Sequence, residues 1–168
     1  MIEVAPRLWV GSQADYERKR PAWPIVQACK EPYHRKALGY TTRGAPKDSP
    51  EYLFCYRGKR LILNIVDVDD PQFISAAGVD EAVGFVRRQR GVDVLIHCNQ
   101  GRSRSPSIAM LALAGDLPET FDDAETIMRR LYPPYDPARG VHEFARANWQ
   151  RYRALEISPQ TPRATIAA

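Results

Sequence analysis

The sequence predicts an α/β fold, a central and mostly parallel sheet flanked by helices, on three observations. Two short runs, Leu61-Ile62-Leu63-Asn64-Ile65-Val66 and Val92-Asp93-Val94-Leu95-Ile96, are nearly continuous in β-branched and apolar residues, as strands covered on both faces must be. Longer stretches with helical spacing alternate with such runs, the pattern of a parallel-cored sheet. The 168 residues, 44% hydrophobic and 26% charged, match one domain that can bury a core without staples.

Taken in order, Ile2-Glu3-Val4 and Leu8-Trp9-Val10-Gly11-Ser12 alternate and stop at Gly-Ser, which predicts a hairpin or two short strands. Ile25-Val26-Gln27-Ala28-Cys29 reads as a third strand. Pro, Gly, Tyr and charged residues then dominate, predicting an irregular insertion at about 30–59, with Tyr40, Tyr52 and Phe54 as its anchors. Residues 60–68 form the next strand. Asp70 is placed to cap a helix that has Pro71 at its first position and runs to about Gln89, with Val79, Ala82, Val83 and Val86 facing inward. The run ending at Ile96 is followed by a polar loop and by a helix over 104–114, with Pro106 near the first turn, where a missing N–H costs nothing. Helices over 124–132 and 140–152 follow, the last anchored by Phe144 and Trp149. The domain is expected to span 1–157, and the Pro-, Thr- and Ala-rich residues 158–168 to fray as a flexible tail.

Composition narrows the function. A net charge of +4, with basic residues scattered, tilts toward anionic ligands and gives no footprint for nucleic acid. Cys29, Cys55 and Cys98 are odd in number and lack metal-finger spacing, so neither a disulfide framework nor a metal site is expected. The start, Met1-Ile2-Glu3-Val4-Ala5-Pro6, has no basic flank followed by an apolar core, and no run reaches the ~18 apolar residues of a membrane span. A cytoplasmic location, where a reactive thiol survives, is the expectation.

The chemistry concentrates in His97-Cys98-Asn99-Gln100-Gly101-Arg102-Ser103-Arg104-Ser105. A free thiol, with a pKa of roughly 8.5, is only slightly ionised at neutral pH and needs help to act as a nucleophile. A strand feeding a tight loop and then a helix aims backbone N–H groups and the positive helix end into the bend, where a thiolate and a phosphate are both stabilised. Arg104 adds a planar fork for two phosphate oxygens, which lysine cannot imitate. Gly101 permits the turn, Ser105 can donate a hydrogen bond to the sulfur, and His97 is placed to orient the loop rather than to act as a base.

This stretch resembles the Cys-x5-Arg signature of the protein tyrosine phosphatase superfamily, and more closely the His-Cys-x-x-Gly-x-Ser-Arg-Ser loop of the dual-specificity phosphatases. Leu8-Trp9-Val10-Gly11-Ser12 is similar to the opening of those domains. The stretch Arg130-Leu131-Tyr132-Pro133-Pro134-Tyr135-Asp136-Pro137, with Gly140 and Glu143-Phe144, is similar to their approach to the last helix, which packs beneath the loop. The resemblance implies a phosphatase-like domain in which Cys98 attacks phosphorus, the N–H groups of Asn99, Gln100, Gly101, Arg102, Ser103 and Arg104 bind the phosphate, and no metal or cofactor takes part. It also implies an upstream aspartate as general acid and later base. Asp67, 31 positions before Cys98, is favoured because it continues the alternation of Leu63 and Ile65; Asp69 and Asp70 are the alternatives, Asp70 being better explained as a helix cap.

The expected substrates are phosphotyrosine and phosphoserine or phosphothreonine in proteins. A small phosphorylated molecule, a phosphoinositide or an RNA end fits the same loop, and phosphate, sulfate or vanadate should bind as oxyanions. A phosphate-binding scaffold that turns nothing over is the alternative class. A redox or sulfur-transfer enzyme is a third, disfavoured because the chain shows no resolving cysteine in sequence near Cys98.

Overall fold

A computed structural model of the chain describes residues 1–19, 21–89 and 91–155; the tail expected at 158–168 lies outside the described residues. The apolar runs converge in one sheet of six strands, β1 (Ile2–Ala5), β2 (Leu8–Ser12), β3 (Ile25–Gln27), β4 (Phe54–Arg57), β5 (Arg60–Leu63) and β6 (Val94–Cys98), in the order β1-β2-β6-β3-β5-β4. The inner pairs β2/β6, β6/β3 and β3/β5 are parallel, and the outer strands β1 and β4 run antiparallel to their neighbours. Every residue of β6 is buried, which is why that strand reads as an unbroken apolar run up to its polar last residues, His97 and Cys98.

Among the described residues seven α-helices flank the sheet: α1 (Gln13–Lys19), α2 (Arg35–Leu38), α3 (Ala76–Arg88), α4 (Arg104–Ala112), α5 (Phe121–Leu131), α6 (Arg139–Ala147) and α7 (Trp149–Ala154). All nine residues of α4 are buried, because it lies between β2 and β6 on one side and α3, α5, α6 and α7 on the other. Burying a helix on all sides requires it to be apolar all round, and Pro106, Ile108, Ala109, Met110, Leu111 and Ala112 meet that demand. Half-buried Arg87 then ties α3 to the ends of α4 and α7 by donating to the carbonyls of Leu111, Ala112, Tyr152 and Leu155.

Several expectations are corrected. The strand expected over 60–68 ends at Leu63: the Asn64 N–H still donates to the carbonyl of Leu53, beside β4, but the Asn64 side chain turns back to the Tyr52 carbonyl and residues beyond it are not in the sheet. Asp70 caps a turn of 3-10 helix at Pro71–Phe73 and not a long helix. Ile74 is extended, and Ser75 opens α3 by accepting from the Gly78 N–H. The last predicted helix is two, α6 and α7, broken at Asn148, whose side chain bonds back to the Phe144 carbonyl. The insertion at 30–59 is not irregular throughout. It holds a helical turn at Lys30–His34, the short α2 and the edge strand β4, which pairs with β5 through backbone bonds that a Tyr- and Arg-containing run does not advertise.

Candidate active site

Cys98 ends β6, and α4 begins six residues later at Arg104, so the polar loop is strung between the middle of the sheet and a buried helix N-terminus. The Cys98 side chain is 1% exposed. Its Sγ faces two donors, the Gly101 N–H and the Ser105 hydroxyl, both at 3.3 Å. Ser105 Oγ also lies 3.1 Å from the Gly11 carbonyl. With one proton to give, the hydroxyl serves either the carbonyl or the sulfur, so it can turn to the sulfur when that atom carries charge.

Arg104 is 5% exposed, and its charge is met on three sides. Nη1 donates to the Ile65 carbonyl at 3.0 Å; Nη2 donates to Asn99 Oδ1 and lies 2.9 Å from Asp67 Oδ2. Its buried Nε has no partner among the described residues, a donor left over for an oxyanion. Of the three candidate aspartates, Asp67 is the one whose carboxylate reaches Arg104. Asp69 is exposed and engages Arg139 only through its backbone carbonyl, at 3.0 Å. Asp70 Oδ1 accepts from the Gln72 N–H at 2.9 Å, which occupies it as a cap.

The other loop residues divide by the direction of their side chains. Asn99 Nδ2 donates to the Glu31 carbonyl at 2.7 Å and to Gln13 Oε1 at 3.2 Å. Gln100 is exposed. Arg102 turns outward to Asp136 at 2.6 Å, while Ser103 Oγ accepts from the Ala138 N–H and ties the loop to the start of α6. Behind the loop, buried His97 stacks on Tyr16 at 4.7 Å between ring centroids and meets the edge of Tyr33 at 5.2 Å. Burial pushes its pKa down to about 4, so the ring is neutral near pH 7 and acts as packing, with Gln27 Nε2 3.3 Å from its Nε2. Cys29, just beyond β3, is held protonated by burial, its pKa pushed up to about 12. Among the described residues no cluster of His, Cys, Asp or Glu has the arrangement of a metal site.

Gly101 explains why the loop tolerates no side chain at its centre. Its φ is +75°, and a Cβ there would lie 2.9 Å from the backbone of Gly11 and Ser12. Gly101→Ala is therefore expected to destabilise the protein by about 1–3 kcal/mol. A thermal unfolding curve checks it. Gly140 plays the matching role beneath the aspartates, where a Cβ would meet the Val68 carbonyl at 2.6 Å. Two features beside the loop go beyond what the sequence predicts. One is α1, whose signal was the Ser12-x-x-Asp15 capping box, with reciprocal bonds of 3.0 and 3.2 Å. The other is the reach of Asn99 to the turn at Lys30–His34, for which the sequence carries no signal.

Comparison with known proteins agrees with this geometry. No family model matches the chain. The mouse dual specificity protein phosphatase 12 is 27% identical over 96% of the chain, and the chain spans about half (49%) of that relative's length. Among solved structures, PTPMT1 superposes with a TM-score of 0.62 at 16% identity, covering 91% of this chain and 96% of that one. DUSP15 superposes with a TM-score of 0.57 at 19% identity, covering 91% and 92%. Human DUSP28 gives 0.55 at 19%, covering 91% and 95%. With its mixed six-stranded sheet and its Cys98 to Arg104 loop, the chain has the fold of PTPMT1, DUSP15 and DUSP28 and is similar in sequence to the mouse dual specificity protein phosphatase 12.

Proposed function

We propose that residues 1–157 form one catalytic domain, a metal-independent phosphomonoester hydrolase that works through a cysteinyl-phosphate on phosphotyrosine and phosphoserine or phosphothreonine of proteins. The observation that carries this reading is the convergence on one buried sulfur of a backbone donor, a hydroxyl and, across the same loop, a guanidinium with a donor to spare. The Cys98 thiolate attacks phosphorus in line as the P–O bond breaks. Arg104 and the N–H groups of residues 99–104 hold the equatorial oxygens, and such preorganised donors supply most of the rate in phosphoryl transfer. Asp67 gives its proton to the leaving oxygen. It then takes one from the water that attacks phosphorus and breaks the S–P bond, while the Ser105 hydroxyl eases departure of the thiolate.

A phosphoinositide is the second substrate reading, since PTPMT1 has been solved in complex with PI(5)P and superposes on this chain with a TM-score of 0.61. A cytoplasmic location fits a working thiol, and among the described residues no helix is long and apolar enough to cross a membrane.

The test is hydrolysis of an aryl phosphate and an alkyl phosphate in the presence of a chelator, with and without vanadate. Activity should persist without metal and be blocked by vanadate. Asp67→Asn should lower kcat by about 10²-fold on the alkyl ester and by less on nitrophenyl phosphate, whose leaving group needs little proton help. Asp69→Asn should stay near wild type. The reverse pattern moves the acid to Asp69, and a metal requirement sinks the mechanism.

A further inference from the structure

Two of the three acceptors of Arg104 are tied to the turn at Lys30–His34, a part of the chain that the steps of hydrolysis leave unused. The Ile65 carbonyl takes Arg104 Nη1 at 3.0 Å and, also at 3.0 Å, the Lys30 N–H. Asn99 Oδ1 takes Arg104 Nη2 at 2.9 Å, and Asn99 Nδ2 donates at 2.7 Å to the Glu31 carbonyl. One guanidinium is thus fixed, through two neighbours, to consecutive residues of a single turn.

Asn99 is the more constrained of the two acceptors. Arginine can only donate, so the amide must turn its oxygen to Arg104. That orientation leaves both Nδ2 hydrogens for other partners, and both find one: the Glu31 carbonyl and, at 3.2 Å, Gln13 Oε1. The backbone carbonyl of Asn99 also accepts from the Gln13 N–H at 3.1 Å, which pins the residue to the start of α1. Gln13 and Glu31 belong to different elements, and they close on one half-buried side chain from two directions. Flipping the amide would set its N–H groups against the guanidinium and its oxygen against two other oxygens, so Oδ1 is a fixed point for Nη2.

The donors of Arg104 show what that fixed point is for. Nη1 is engaged by Ile65, Nη2 divides its two hydrogens between Asn99 and the Asp67 carboxylate, and buried Nε has no partner among the described residues. An oxyanion can take Nε together with the Nη2 hydrogen that Asp67 gives up, while Asn99 keeps the other and the plane of the fork stays where it was. We propose that the Asn99 side chain is a positioning residue for the phosphate clamp: held by Glu31 and Gln13, it fixes the Arg104 guanidinium so that Nε and Nη2 meet the phosphate together. This role is separate from the backbone N–H that Asn99 contributes to the loop, and it rests on the phosphatase reading for the identity of the oxyanion.

The test is a double-mutant cycle between Asn99→Ala and Arg104→Lys, read as the affinity for inorganic phosphate by calorimetry and as kcat/KM on an aryl phosphate. With Arg104 in place, Asn99→Ala should weaken phosphate binding and lower kcat/KM, each by about tenfold, the scale of one hydrogen bond to a charged group. With Arg104→Lys, which has no fork to orient, the same change should cost less than about twofold. Equal losses in the two backgrounds would make Asn99 a merely structural residue of the loop and overturn the proposal, as would no loss with Arg104 present. Gln13→Ala removes one of the two partners of Nδ2 and leaves the Gln13 N–H in place. It should weaken phosphate by about twofold, again only with Arg104 present, and it decides the question alone if Asn99→Ala does not fold. Phosphate affinity that follows this pattern in a protein that turns nothing over keeps the positioning role and sinks hydrolysis; turnover that is indifferent to Asn99 does the opposite.

Discussion

Cys98→Ser is expected to lower turnover of an aryl phosphate by about 10⁴-fold or more while leaving the fold intact. The size follows from the position of the sulfur. At 1% exposure it has little water around it, and the Gly101 N–H and Ser105 hydroxyl at 3.3 Å are placed to stabilise an anion there. An alkoxide at the same place would need a far stronger base than the site holds, because a serine hydroxyl ionises much less readily than a thiol. The exchange is close to isosteric, so the unfolding midpoint should move little and oxyanion binding should survive. Rapid acid quenching with labelled substrate provides the check: wild type should retain covalent phosphate, the variant none. Residual activity above a few per cent of wild type would remove Cys98 from the role of nucleophile.

The second large effect is expected from Arg104→Lys, a loss of about 10³-fold in kcat/KM, within the range that a phosphate-clamping arginine commands. Arg104 satisfies the Ile65 carbonyl, Asn99 Oδ1 and the Asp67 carboxylate at 2.9–3.0 Å and still has Nε free. A lysine ammonium has three donors on a single atom and cannot span those acceptors while forking onto an oxyanion. Inhibition by inorganic phosphate or vanadate should weaken with it. Rates within tenfold of wild type would show that charge, not the planar fork, is what the site needs. Asp67 shares Nη2 of this arginine, so the incoming phosphate competes with the carboxylate. Asp67→Asn should therefore bind oxyanions more tightly as it turns over more slowly.

How much of this was legible follows from where the information sits. The loop from His97 to Ser105, its strand and its helix were readable because the polar residues that converge there are consecutive, and because both flanks are apolar in a pattern that burial alone explains. The parallel core followed from the same kind of run. Element ends were less legible: the strand over 60–68 shortened, and the helix after Asp70 started later because two N-cap candidates, Asp70 and Ser75, lie five residues apart and Ser75 is the one that caps it. Strand β4 was missed because its edge position asks only for backbone pairing with β5, and its Tyr and Arg do not alternate as a half-buried strand would.

The linear order of residues was thus enough for the loop that sets the Cys98 thiol, Gly101 and the Arg104 guanidinium together and for the class of fold, all of which depend on contacts within a few residues or on hydrophobic periodicity. Three-dimensional packing chose Asp67 over Asp69 as the carboxylate at Arg104, and it brought the basic insertion to the Asn99 and Ile65 acceptors of that arginine. Those contacts join residues tens of positions apart. They depend on where β5 leaves the sheet and how the turn after β3 lands on the phosphate loop, and a short-range pattern carries no record of either.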